Sequence, residues 1–260
     1  MLFIVFSLLS ITLAMVWQMA SILFKNRLYI ISAIFNLAAG LLILLELILI
    51  SIEIRMVAIT NMYEALLFFT ACIQITLAIF LLKGALKKSQ FIPIIGNFFC
   101  VLLILLAISP LFFNKDYTIP EALRSFWLVI HVSLAIIGDA LFFMGFIASL
   151  LFLIYKNPQT KQQLDKLAYF SIIIGYMLFT LGALIFGAIW AQQAWGRYWG
   201  WDAKEIWALI TWLTYSAYLH LRIIMKAKPK ILALVAIIGF VFTIFTFLGV
   251  NFLFRGLHSY

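Results

Sequence analysis

Apolar runs of about twenty residues recur along the whole length of this chain, and each is long enough to cross a bilayer as a helix. No water-soluble domain of this size needs so much apolar surface: of 260 residues, 67% are hydrophobic and only 10% charged. A transmembrane barrel would instead be written in roughly ten-residue segments of alternating hydrophobicity. The chain therefore reads as an all-α, polytopic transmembrane helical bundle in contact with the lipid bilayer. About eight spans are expected, near residues 2–24, 28–50, 62–82, 91–113, 125–155, 168–190, 206–224 and 231–254. There is no Pro/Gly/Ser-rich linker, charged tail or convincing internal repeat, so residues 1–260 read as a single integral membrane domain.

The net charge of +9 raises the question of a nucleic-acid partner, and the placement of the basic residues argues against one. They sit in short loops between spans, as topology determinants do. Lys25 and Arg27, then Lys83, Lys87 and Lys88, then Lys156, Lys161 and Lys166, then Arg222, Lys226, Lys228 and Lys230 fall in alternate loops. These twelve of the eighteen basic residues mark the cytoplasmic side, and both termini are then expected on the extracytoplasmic side. The N-terminal run has no basic residue before it, which reads as a retained span rather than a cleaved signal. Cys72 and Cys100 form no CxxC pair and read as small core residues.

This topology gathers three segments on the outer face: residues 114–124 leading into His131, a Trp-rich loop at 191–205, and residues 255–260 carrying His258. Six of the eight tryptophans lie between Trp190 and His220. Gly196 and Gly200 permit tight turns among Trp195, Trp199 and Trp201. Asp202 followed by Glu205 fits a capping box opening the seventh span, and Trp207 and Trp212 continue along that helix. Two readings stand side by side. Tryptophan is enriched at membrane interfaces as an aromatic belt. A belt is scattered over all spans, however, whereas a cluster around one short polar stretch makes a platform for a large planar apolar ligand.

The three histidines sharpen that choice. His131 and His258 fall on the same face, where two neutral imidazoles are able to bind one iron from above and below. The alternative is two unrelated interfacial histidines bonded to water. His220 lies about one turn from the cytoplasmic end of its span, inside the apolar zone, where an ionisable group is a functional hypothesis by default. Its alternative is a core histidine bonded to a carbonyl. Together the tryptophans and histidines suggest haem, handled at a membrane surface. Asp139 falls near the middle of the fifth span and is expected to be protonated or paired inside the bundle. Glu46 and Glu64 are expected to make polar contacts between helices.

The segment WGRYWGWDAKEIWALITWLTYSAYLHLR resembles the WWD signature of the CcsA/ResC cytochrome c maturation proteins. NMYEAL at residues 61–66, LRSFWLVIHVSLAI around His131 and NFLFRGLHSY at the C-terminus resemble other hallmark segments of that family. The likeness runs from about residue 60 onward; the first 50 residues match only in being hydrophobic. The resemblance implies that haem b enters from the cytoplasmic side, is held within the membrane by a histidine pair, and passes to an outer bis-histidine site. There it becomes attached by thioether bonds to the CxxCH motif of an apocytochrome c. His131 and His258 match the outer ligands, and His220 matches one intramembrane ligand. Trp195, Gly196, Trp199, Trp201, Asp202 and Trp207 match the WWD residues.

Two bis-histidine sites require four histidines, and this chain has three. The resemblance implies that a ResB-type membrane partner supplies the fourth, so the chain reads as one subunit of a two-component synthase. No acid–base or nucleophilic constellation of the usual kind is present, and the chain alone does not read as a complete enzyme. A bacterial inner membrane is the expected location, with a thylakoid membrane second. The competing class is a HemX-like regulatory or assembly factor without haem ligation, against which the full WWD segment and both outer histidines speak. Asp139 stands where the resemblance leads one to expect an uncharged residue.

Overall fold

Hydrocarbon offers no water to satisfy backbone N–H and C=O groups, so a spanning segment must bond to itself. Every regular element among the described residues is accordingly helical. The computed structural model describes residues 2–24, 28–86, 89–113 and 119–254. Among these described residues six helices are long and apolar enough to cross a membrane, and the chain is an integral membrane protein. Several of the basic loop residues used to orient it, Lys25, Arg27, Lys87 and Lys88, lie outside the described residues.

Residues 1–119 form one compact unit. Its helices are α1 (Leu2–Phe24), α2 (Tyr29–Ile54), α3 (Met62–Leu82) and α4 (Phe91–Ala107). The fourth is shorter than the run 91–113 suggests. Pro110 disfavours helical geometry at Ser109 before it, and the Ser109 hydroxyl turns back to the Leu106 carbonyl at 2.6 Å. α3 starts where Asn61 accepts the Glu64 amide at 2.9 Å. The Glu64 carboxylate in turn accepts the Thr60 amide at 2.6 Å. Glu64 thus caps its own helix instead of bridging to a neighbour as the sequence led one to expect. Between α3 and α4, Gln74 donates to Asn97 at 2.9 Å, both side chains being fully buried. Cys72 and Cys100 are free thiols inside these helices.

Residues 120–260 form the second unit. A single turn of 3₁₀ helix at Glu121–Leu123 leads into α5 (Phe126–Ile154), where the Ser125 hydroxyl caps the Trp127 amide. α6 (Pro158–Phe179) begins ten residues earlier than hydropathy indicates. Asn157 caps it and Pro158 stands in the first turn, where a missing N–H costs nothing. The rod continues through a π-helical segment, Thr180–Phe186, into α7 (Gly187–Trp195). α8 (Ala203–Ile223) follows, and α9 (Pro229–Ile244) runs through a second π segment, Phe245–Gly249, into α10 (Val250–Leu253).

The centre of this unit is the contact of α5 with α6. An added Cβ on Gly138 would lie 3.0 Å from the Gly175 carbonyl and 3.0 Å from the Phe179 amide, so the two backbones touch. One on Gly145 would lie 2.7 Å from Ile172. Small residues at heptad spacing let membrane helices approach closely enough for dispersion to hold them, since lipid removes the hydrophobic drive. Deeper in, Phe142 stacks on Tyr215 of α8 with ring centroids 3.7 Å apart. Gly138→Ala is expected to destabilise this unit by about 1–3 kcal/mol, because backbone cannot yield as a side chain does. Leu234→Ala on the exposed face of α9 should stay within about 0.5 kcal/mol. Denaturing-detergent titration of the two purified variants checks the difference.

Candidate functional site

Helix α7 carries the first part of the Trp-rich stretch, so the irregular backbone runs only from Gly196 to Asp202. Gly196 adopts φ 74° and its amide closes the helix on the Gln192 carbonyl at 3.0 Å, the left-handed cap for which glycine is suited. The expected capping box opens α8: Asp202 accepts the Glu205 amide at 2.8 Å, and Glu205 accepts the Asp202 amide at 3.2 Å. Glu205 does more than the sequence indicates, because its Oε2 also accepts the Gly200 amide at 2.7 Å. One carboxylate thereby ties two loop amides to the helix start. Between them Trp201 is held at φ 58°, a left-handed conformation costly for a bulky residue. The residue is 69% exposed, and its ring meets Trp199 edge-on at 5.9 Å. The buried Trp199 indole N–H has no hydrogen-bond partner among the described residues.

His131 sits in the second turn of α5, half-buried. Its Nδ1 lies 2.9 Å from the Gly182 carbonyl oxygen. A carbonyl only accepts, so Nδ1 carries the proton, and in the neutral ring Nε2 carries the lone pair. Trp190 stacks on the imidazole, centroids 5.7 Å apart and planes within 10°. The Trp190 indole donates to the Ala122 carbonyl at 3.0 Å, and Trp195 meets Trp190 edge-on at 4.7 Å. The structure thus brings His131 and Trp195 together through Trp190, a residue the motif had not assigned. Trp207 turns into the bundle against Phe245 at 4.3 Å and Phe242 at 5.7 Å. Trp212 donates to Thr180 at 2.9 Å. His258 lies outside the described residues.

His220 occupies the last turn of α8 and is exposed. From the level where Phe142 meets Tyr215, a rise of 1.5 Å per residue puts His131 and His220 roughly 24 Å apart along the helices. Beside His220, Arg222 clamps α6 to α8 through a two-pronged contact with Asp165, at 2.6 and 2.7 Å. Its guanidinium lies 4.6 Å from the Tyr169 ring centre.

Asp139 also acquires an account. It is buried in α5 roughly 12 Å below His131 by helix rise, and its Oδ1 has no hydrogen-bond partner among the described residues. Its electrostatic partner is Lys204 in the first turn of α8, whose ammonium also donates to Asn251 of α10 at 3.4 Å. Asp139 thus lies in the field of a lysine next to the loop's capping box. Among the described residues no group of three or more His, Cys, Asp or Glu gathers as a metal cage. Iron in a macrocycle asks the protein for axial ligands only.

Fold and site define a polytopic helical membrane protein with a tautomer-fixed imidazole set against tryptophan at one end of its second unit. Residues 59–258 match the Cytochrome C assembly protein family, and the chain belongs to it. It is 43% identical over 171 residues to the cytochrome c biogenesis protein CcsA of Prochlorococcus marinus (strain MIT 9312), covering 54% of this chain and 55% of that one. For CcsA of strain MIT 9215 the identity is 37% over 236 residues, covering 78% and 75%. For CcsA of Chlamydomonas reinhardtii it is 34% over 215 residues, covering 77% and 60%. The match with the first of these spans only about half of that relative's length. A role in cytochrome c maturation follows from the membership.

The doubled role of Glu205 gives a prediction. Glu205→Gln should release the Gly200 and Asp202 amides, raising their hydrogen exchange, while Asp202→Ala should cost about 0.5–2 kcal/mol through the lost cap. Residue-resolved exchange of the purified protein reads both. Unchanged protection at Gly200 in Glu205→Gln would show that the loop is held by something else.

Proposed function

We propose that this chain is the membrane subunit of a two-component cytochrome c synthase that moves haem b from the cytoplasmic side to an extracytoplasmic site. The observation that carries the reading is the state of His131. Its Nδ1–H is bound to a backbone carbonyl, as metal-ligating imidazoles are oriented. That leaves Nε2 as the nitrogen with ligand character, beside flat indole surface from Trp190 and Trp195. These residues fit haem, which asks for axial nitrogen on the iron and apolar surface for the ring. When bound there, haem supplies the vinyl groups to which the thiols of a CxxCH motif add. In this reading His131 and His258 would hold the iron. Trp195, Gly196, Trp199, Trp201, Asp202 and Trp207 shape and shield the outer site, with Asp202 and Glu205 fixing the loop.

His220 belongs to a second, inner level. Its exposure at the end of α8 and the absence of a fourth histidine in the chain support a shared inner site. A ResB-type partner supplies the opposing imidazole from one of its own spans. The Arg222–Asp165 clamp holds the helix end from which His220 projects. Both termini and the loop 191–205 lie on the extracytoplasmic side, with a bacterial inner membrane as the setting and a thylakoid membrane as the second.

His131→Ala and His258→Ala should each abolish low-spin bis-imidazole absorption and cytochrome c assembly together, with added imidazole restoring part of both. An unchanged spectrum in both variants removes the outer ligand assignment. His220→Ala, in protein co-purified with its partner, should lower haem at the outer site with the outer ligands intact. Wild-type haem content and maturation rate there would remove the relay.

A further inference from the structure

We propose that the π-helical turn Thr180–Phe186 is the positioning device for His131, built to fix which of its nitrogens faces the iron. The inference rests on reading His131 as an iron ligand, and it assigns roles to Gly182 and Gly187, which that reading leaves unassigned. Three contacts define the device. The Gly182 carbonyl holds Nδ1 at 2.9 Å. A Cβ added to Gly187 would lie 3.0 Å from His131 Nδ1 and 3.1 Å from Cε1, so the ring edge rests against the bare Gly187 backbone. Trp190 covers the ring face.

An uninterrupted α-helix cannot make the first two contacts at once. Residues five apart on it are separated by about 140° around the axis. A π turn bonds i to i+5 and so stacks the two residues. Here the Gly187 amide closes on the Gly182 carbonyl, the same oxygen that receives the imidazole N–H. A carbonyl has two lone pairs and serves both donors. Gly182 is also where this rod touches α5, since a Cβ there would collide with the Ala135 backbone nitrogen. The spare residue of the π turn therefore aims one carbonyl at one imidazole. A widened turn has no stability advantage of its own, and such turns mark functional positions.

The test uses the full chain co-purified with its membrane partner and loaded with haem. Gly187→Ala should push the ring off the Gly182 carbonyl and weaken haem retention about 10- to 100-fold, the usual effect of losing a partner behind a metal-bound histidine. Nδ1-methylhistidine placed at position 131 keeps Nε2 and deletes the N–H donor. It should retain haem but shift the midpoint potential upward, because the ligand loses basicity, a change that a purely structural role would not produce. If Gly187→Ala does not accumulate in the membrane, the methylated variant decides alone. A wild-type potential in that variant overturns the proposal even where His131→Ala still loses low-spin haem. A His131→Ala protein that keeps its low-spin spectrum fails the underlying ligand reading instead, so the two failures are told apart.

Discussion

The close approach of α5 to the rod Pro158–Trp195 is the constraint on which the site depends. Where Gly138 meets Gly175, backbone touches backbone, and two helices fixed at that distance have their carbonyls within reach of each other's side chains. About two turns further toward the end that carries Trp195, Gly182 presents its oxygen to His131. Any bulkier residue at these positions would part the helices and move the imidazole off the carbonyl that holds its Nδ1 proton. Packing, which in lipid must come from small residues rather than water exclusion, is here also what places the Gly182 carbonyl against the His131 imidazole.

Charge follows the same arrangement. A lysine in the first turn of α8 opposes the positive end of a helix dipole and lies within an apolar bundle, so Lys204 needs an anion. Asp202 at the same helix start is its main anionic neighbour, Asp139 of α5 adds a smaller share, and Asn251 of α10 accepts its N–H at 3.4 Å. The start of α8, beside the loop capped by Asp202 and Glu205, is thereby tied to α10 through one hydrogen bond. At the opposite end, Arg222 and Asp165 perform the equivalent tie between α6 and α8. His220 stands beside this clamp yet exposed, as a ligand shared with another chain would be.

Much of this was legible in the residues. Hydrophobic length gives the helices, because the bilayer admits few alternatives, and the Asp202–Glu205 spacing gives the box that opens α8. Length alone misplaces the end of α4, which Pro110 sets, and the start of α6, which Asn157 and Pro158 set. Glu64 reads as an interhelical contact until its own Thr60 amide is seen to take it. The π turn left the faintest trace: two glycines five apart, Gly182 and Gly187, in an apolar run where an α-helix would place them on different faces. Trp190 was hidden for another reason. It falls outside the motif, and its role depends on a long-range stack with His131 that no local pattern encodes.

The central claim is that His131 meets iron through Nε2. Pulsed electron paramagnetic resonance of the oxidised, haem-loaded protein with ¹⁵N-labelled histidine reports the imidazole nitrogens on the iron directly. The account predicts coupling from two imidazoles in the wild-type chain and from one in His131→Ala. Identical coupling in the two proteins, or no imidazole coupling in the wild type, would contradict it.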